Sequence, residues 1–268
     1  MTTDLSMEQI RGSLTGTFGR DIRYFDEIGS TNTEGLEWAL SGGPEGAIVA
    51  ADHQTGGRGR WGRSWFSLPG KLLQFSLILR PNLAPNRAGI LTTGLGVACA
   101  RAITSLTHVP VQIKWPNDIV VGGRKLAGML VESTTTGAVI DAAVCGIGIN
   151  VHLATDEIPE ELRARATSLA IELKDASVPG RAALLAAIVD QVEALYPWMT
   201  GDAQELVAEA TDRSAVLGRD VVVRFADGTT IEGRATSFDD DGALRIATET
   251  ATVSIAVGEI EQLRAVEV

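Results

Sequence analysis

A chain of 268 residues, 45% hydrophobic and 21% charged, can bury one large domain and a smaller one without disulfide staples. Its net charge of −11 excludes broad nucleic-acid binding, which needs a basic face to displace counterions. No run of about 18 uninterrupted apolar residues occurs, and MTTDLSMEQI lacks the basic-then-apolar order of a signal peptide, so neither a membrane span nor export is expected.

Ser6 and Gln9, at capping-box spacing, open a helix over residues 6–18 with Ile10, Leu14 and Phe18 on one face. Residues 22–25 read as a short strand. Thr31 and Glu34 repeat the capping spacing at a second helix, which Gly42-Gly43 ends. Residues 46–52 form a buried strand that runs into TGGRGRWGRSW (55–65). Gly56, Gly57, Gly59 and Gly62 would each cost a regular element roughly 0.5–1 kcal/mol relative to alanine, so a mobile loop is expected. Arg58, Arg60 and Arg63 give it cationic forks suited to phosphate or carboxylate. On an acidic protein this positive island favours a small bound anion; an RGG-like nucleic-acid tail or a solvated basic loop is the alternative.

LLQFSLIL (72–79) is the next strand, and residues 85–106 form a long apolar helix. A strand over 111–114 ends at the Trp115-Pro116 corner. Residues 119–121 and 125–132 pair as a hairpin about Gly122-Gly123, followed by a long strand over 138–151. The charged 153–168 segment reads as an irregular loop. Helices over 179–199 and 202–213 complete a first unit, 1–215. Strands over 221–225, 229–238, 243–247 and 252–255, turning at Asp227-Gly228 and Asp240-Asp241-Gly242, give 216–268 the spacing of a small β-barrel or sandwich.

The hairpin should bring Asp118 and Lys125 together. A carboxylate and an ammonium about 4 Å apart attract by about 4 kcal/mol at an effective dielectric of 20. Lys125 could then bind a substrate carboxylate or phosphate while Asp118 handles an amine or a metal, or the two could form an ordinary surface pair of little worth. Gly128 marks a close backbone approach in mid-strand. Gly146 and Gly148 clear one face of GIGINV (146–151), and Asn150 shares that face; a sheet crossing that needs small residues would explain the glycines equally. No CxxC, HExxH or GxSxG occurs. His53, His108 and His152 are scattered. Cys99 and Cys145 lie among apolar neighbours and read as reduced thiols of a cytoplasmic protein. Without a nucleophile, chemistry is expected to rest on positioning and electrostatic stabilisation of bound reactants.

Together STN (30–32), Gln54 before TGGRGRWGRSW, KWPND (114–118), RKLAG (124–128) and GIGIN (146–150) resemble the motifs of the biotin–protein ligases, in that family's order. The resemblance implies an α+β fold: a mixed β-sheet with flanking helices of the class II aminoacyl-tRNA synthetase kind, then a small SH3-like barrel. It implies that biotin and MgATP give biotinyl-5′-AMP and pyrophosphate, and that biotin then passes to a lysine on a biotin carboxyl carrier domain of an acyl-CoA or pyruvate carboxylase. It implies that Ser30, Thr31, Gln54 and the Arg58 backbone meet the ureido end of biotin and nearby groups, and that Asn32 and Gly57 also bind biotin. Trp65, Gly128, Gly146 and Gly148 would enclose its apolar body, and Lys125 its carboxylate. Arg58, Arg60 and Arg63 would neutralise phosphates. Asn117 and Asn150 would help bind the nucleotide or its metal, Mg2+ being held through the phosphates with Asn150 the one candidate side chain and no direct metal ligand assigned. Asp118 would orient or deprotonate the incoming lysine, which makes Lys125, Asp118 and Arg60 the catalytic set. Only 29 residues precede Ser30, whereas an independent domain needs roughly 50. The winged helix-turn-helix of repressor-type relatives, and a repressor role, are therefore not expected. The 153–168 segment also lacks the aromatic residue that covers adenine in some relatives. A lipoate- or octanoate-transferring relative and a non-catalytic ligand sensor are the alternatives, and both a monomer and a weak homodimer fit.

Overall fold

Helix α1 (Met7–Ser13) opens with the Ser6 hydroxyl accepting from the Gln9 N–H at 3.3 Å, as the capping spacing predicts. The backbone turns extended at Leu14, so Leu14 and Phe18 lie beyond the helix. The computed structural model describes residues 4–174, 177–257 and 260–265, and the expected domain limits at residues 1 and 268 fall outside them. Strand β1 (Ile22–Ile28) leads into α2 (Thr31–Leu40). The expected cap is displaced by one residue: Ser30 is the N-cap, while Thr31 donates from its N–H and its hydroxyl to Gln54 Oε1. A Schellman motif ends α2. The Gly43 N–H reaches Trp38 O at 2.7 Å and the Gly42 N–H reaches Ala39 O at 3.2 Å, with Gly42 at φ 91°.

Strands β2 (Ile48–Gln54), β3 (Leu72–Leu79), β4 (Gln112–Lys114), β5 (Asp118–Val121), β6 (Arg124–Thr136) and β7 (Val139–Asn150) join β1 in one sheet, ordered β1-β2-β3-β7-β6-β5-β4. The β1–β2 pair is parallel and the other pairs are antiparallel, which makes the sheet mixed. β3 is an inner strand, beside the central β7, and is buried along its whole length. The parity of its side chains sets the layers. Leu73, Phe75, Leu77 and Leu79 face the main core with α3 (Ala88–Thr107) and α5 (Arg181–Thr200). Ile78 faces α2, with Ala39 and Val144. Burying each such leucine contributes about 1.5–3 kcal/mol relative to exposure. Helix α4 (Leu169–Leu173) follows the 153–168 segment, and α6 (Gln204–Asp212) packs on α3 and α5.

The stretch Pro85–Thr107 is long and apolar enough to cross a membrane by length and composition, although it holds no unbroken apolar run of that length. It is the central core helix: its apolar window is 72% buried, against α5, α6 and the sheet. Within residues 4–29, α1 packs on α5 in the helical layer and β1 edges the sheet.

Strands β8 (Asp220–Phe225), β9 (Thr230–Phe238), β10 (Leu244–Ala247), β11 (Thr252–Ile255) and β12 (Ile260–Ala265) form a second, antiparallel sheet ordered β11-β10-β9-β8-β12. Val221, Val223, Ala235, Leu244 and Ile246 fill its own core. Gly228 and Gly242 turn it at φ 86° and 77°, at the positions the sequence marks. The two sheets are stitched together. Ile113 of β4 exchanges backbone bonds of 2.8 Å with Arg213 and Ala215. The Trp115 indole N–H donates to Gly242 O at 3.0 Å, and Arg87 pairs with Asp241 at 3.1 Å.

Candidate active site

Strand register lays the floor of the site. Ala51, Gln74, Gly148, Gly128 and Asp118 stand side by side across β2, β3, β7, β6 and β5. A second row carries Ser76, Gly146 and Leu130. Paired residues share a face, so both rows line the α2 side of the sheet. The glycines are cut away for defined neighbours. A Cβ on Gly146 would lie 2.1 Å from Asn32 Oδ1, and one on Gly148 2.6 Å from Trp65 Cε2.

A cavity of about 180 Å³ opens over this floor. At one end a buried polar network is closed on itself. Gln54 Oε1 accepts from the Thr31 N–H at 2.7 Å and from its hydroxyl at 3.1 Å, while Gln54 Nε2 donates to Gln74 Oε1 at 2.9 Å. The Ser76 hydroxyl donates to Asn32 Oδ1 at 2.6 Å and lies 2.8 Å from the Thr31 hydroxyl. Ser30 is buried beside them and lines the cavity. Gln74 and Ser76 were not singled out in the sequence; their signal was two polar residues at alternate positions of an otherwise apolar strand.

The other wall is the arginine loop. Residues 55–65 are not formless, contrary to expectation. Gly59 N–H donates to Arg63 O at 2.7 Å and Trp65 N–H to Gly57 O at 2.9 Å, folding the segment into a narrow hairpin. Its tip is a 3₁₀ turn, Arg60–Gly62, with Trp61 and Gly62 at φ 57° and 70°. Gly57 is needed for contact: a Cβ there would lie 3.0 Å from Trp65 O. Arg58, Arg60 and Arg63 all line the cavity. Arg58 pairs with Glu132 at 2.8 Å, and Arg60 donates to Val257 O of the small domain. Burial pushes the Arg60 guanidinium below its ordinary value; Asp118 opposes this and Arg63 adds to it.

Lys125 and Asp118 meet as the hairpin predicts, Nζ to Oδ1 at 2.6 Å. The contact is ionic rather than a well-angled hydrogen bond, since the buried Oδ1 has no hydrogen-bond partner among the described residues. A bulge aims Lys125. Ile119 pairs with Ala127 but Val120 with Lys125, which leaves Leu126 extra on β6. Lys125 also lies 5.4 Å above the Trp65 ring. The Trp65 indole rests on Gly148 and Gly128, its buried N–H without a partner among the described residues. Asn117 braces the corner, donating from Nδ2 to Met129 O at 2.8 Å and accepting from the Met129 N–H at 2.9 Å.

Beyond Trp65 and Lys125 a second cavity of about 360 Å³ begins. Trp65, Lys125, Asp118 and Arg63 border both cavities. Asn150 lines the second, its Nδ2 donating to Thr167 O at 2.8 Å. The 153–168 segment forms the far wall with Leu153, Ile158, Pro159 and Leu162, and it is more ordered than its composition suggests. It contains two 3₁₀ turns and pairs with the bulge, Lys125 N–H to Arg165 O at 2.7 Å and Thr167 N–H to Lys125 O at 2.9 Å.

Burial pushes the Cys99 and Cys145 thiols up to about 12, and both stay in the core. His53 lies 3.0 Å from Glu27, a local partner. The build is that of an enzyme that holds a small carboxylic acid beside a phosphate-bearing reactant: a floor cut away at its glycines, a cationic lid, and one ammonium where two cavities meet.

Residues 24–150 match the Biotin/lipoate A/B protein ligase family, and residues 216–262 match the Biotin protein ligase C terminal domain. The chain is 34% identical over 259 residues to the bifunctional ligase/repressor BirA of Bacillus spizizenii, covering 96% of this chain and 79% of that protein. It is 33% identical over 255 residues to the biotin–[acetyl-CoA-carboxylase] ligase of Mycobacterium tuberculosis, covering 93% and 91%. Among solved structures it is similar to the biotin protein ligase from Aquifex aeolicus in complex with biotin and ATP. That match has a TM-score of 0.79 and 28% identity, over 92% of this chain and 100% of the other. The chain belongs to the biotin protein ligase family.

Proposed function

We propose that this protein activates biotin with MgATP and transfers it to a lysine on a biotin carboxyl carrier domain of an acyl-CoA or pyruvate carboxylase. One observation carries this reading: Lys125, paired with Asp118 at 2.6 Å, stands at the boundary of two cavities with the arginine loop beside it. The first cavity takes biotin, with Ser30, Thr31, Asn32, Gln54, Gly57 and the Arg58 backbone at the ureido end. Trp65 and the rows of Gly128, Gly146 and Gly148 bound its apolar body. The second takes the nucleotide, adenine against Leu153, Ile158, Pro159 and Leu162 in place of an aromatic cover.

Lys125 holds the biotin carboxylate near the α-phosphate. A carboxylate oxygen attacks phosphorus and pyrophosphate leaves, its charge met by Arg58, Arg60 and Arg63. The acceptor ε-amine then attacks the acyl carbon, AMP departs, and Asp118 orients the amine or takes its proton. Asn150, in the second cavity, and Asn117, in the wall of the first beside Asp118, are the asparagines we assign to the nucleotide. Mg2+ arrives with the ATP phosphates, and Asn150 is the side chain we place nearest it. We assign residues 1–215 to the catalytic unit and 216–268 to the small domain, on the strength of their separate cores. The two free, buried thiols suit the reducing cytoplasm.

Incubation with biotin, MgATP and a carrier domain should add one biotinyl mass to one lysine. Biotin should bind in a titration and lipoate should not. Lipoate binding with no mass shift would replace this reading by that of a lipoate-handling relative.

A further inference from the structure

Glu132 joins the cavity floor to the arginine loop, and none of the roles above uses it. It lies two residues past Leu130 and four past Gly128 on β6, so it continues the cavity-facing row. Its Oε2 accepts from Arg58 Nη2 at 2.8 Å and from Asn32 Nδ2 at 2.9 Å. Asn32 is itself fixed. Its other amide proton goes to Leu130 O at 3.2 Å, and its Oδ1 accepts from Ser76 at 2.6 Å. Gly146 makes room for that arrangement, because a Cβ there would collide with Asn32 Oδ1. One carboxylate oxygen therefore ties the arginine at the entry of the loop hairpin to a residue locked in the floor.

An isolated pair with side chains 44% and 28% exposed would be worth little to stability. Here the same oxygen also serves a buried amide, so the pair fixes a position rather than decorating a surface. We propose that Glu132 is a positioning residue for biotin activation: it latches Arg58 over the Ser30–Asn32 floor and holds the arginine loop against the cavity. The proposal rests on the ligase reading. With Arg58 latched, the arginine loop resists opening, which would retain the adenylate once it has formed.

Glu132→Gln keeps the shape and an acceptor oxygen but removes the charge. In the full-length protein without ligand, trypsin cutting at Arg58, Arg60 and Arg63, read by mass spectrometry, should quicken about five- to tenfold. The thermal midpoint should stay at the wild-type value. With biotin and MgATP, the biotin KM should rise more than kcat falls, and release of biotinyl-adenylate should quicken by a similar factor. Combined with Arg58→Ala, Glu132→Gln should add nothing to the loss from Arg58→Ala alone, since the two act as one unit. The cutting arm needs no catalysis, so it tests the latch even if the wild-type chain formed no adenylate, which would count against the ligase reading instead. Unchanged cutting in Glu132→Gln, additive losses in the double variant, or a fall in thermal midpoint that accounts for the weaker biotin binding would each overturn the proposal.

Discussion

Lys125 faces the cavity only because β6 bulges. In an unbroken strand residues 125 and 128 would point to opposite faces. The extra Leu126 brings Lys125 Nζ to 2.9 Å from where a Gly128 Cβ would stand. Lys125→Ala removes the cation that meets both carboxylate and phosphate, so biotin-dependent pyrophosphate release should fall about 100- to 1000-fold. Near-wild-type release would sink that assignment. Gly148→Ala tests the indole wall: the new Cβ would lie 2.6 Å from Trp65 Cε2, and accommodating it should cost about 1–3 kcal/mol, read by calorimetry as biotin binding roughly tenfold weaker. Unchanged affinity would place biotin away from Trp65. Most of these residues were legible because their side-chain types declare their chemistry, with forks for anions, missing side chains for close approach, and opposite charges at the ends of a hairpin. Glu132 was not, since a carboxylate that ends an apolar run reads as a solvated strand end. Only the register shows that it returns to Arg58 and Asn32.

Among the elements, the arginine loop departs most from its composition. Glycine content argued for disorder, yet Trp61 and Gly62 in the left-handed region let the segment reverse tightly and pair with itself. Glu132 at Arg58 and the Val257 carbonyl at Arg60 are among its anchors. Arg60→Gly cuts the second anchor and removes a cation from the cavity wall. Adenylate should then escape and label lysines on unrelated proteins, seen as biotin spread across a bystander mixture; labelling confined to the carrier domain would rule this role out. Two elements escaped the sequence reading. α4 is five residues long, too short to display a helical period. β12 shifts register between Ile260 and Gln262, which breaks the alternation by which a strand is recognised.

At the scale of the whole molecule, one buried cation clamps the layers that carry the site. Arg181, 1% exposed, donates to Asp4 and Asp52 at 2.6 Å each and to Leu72 O at 3.1 Å. His152, at the exit of β7, lies 2.9 Å from Asp4. The clamp thus ties the N-terminal segment, β2, β3, β7 and α5 behind the cavity floor, and a buried guanidinium tolerates no loss of its partners. Burial raises the Asp4 carboxyl, but hydrogen bonds from His152 and Arg181 outweigh it and hold the group well below its ordinary value of 3.8. The folded state therefore holds this proton less tightly than the unfolded chain does. The resulting stability is complete above the unfolded value and drains as pH falls through 3.8 toward the depressed one. Glu209, where burial is outweighed by bonds from Arg101 and Arg213, adds to the same loss below its ordinary 4.5. The thermal midpoint of the wild type should exceed that of Asp4→Asn by a constant margin above about pH 5, and the margin should shrink below about pH 4. A margin that stayed unchanged at about pH 3 would show that Asp4 stabilises the clamp through its shape and not through its charge.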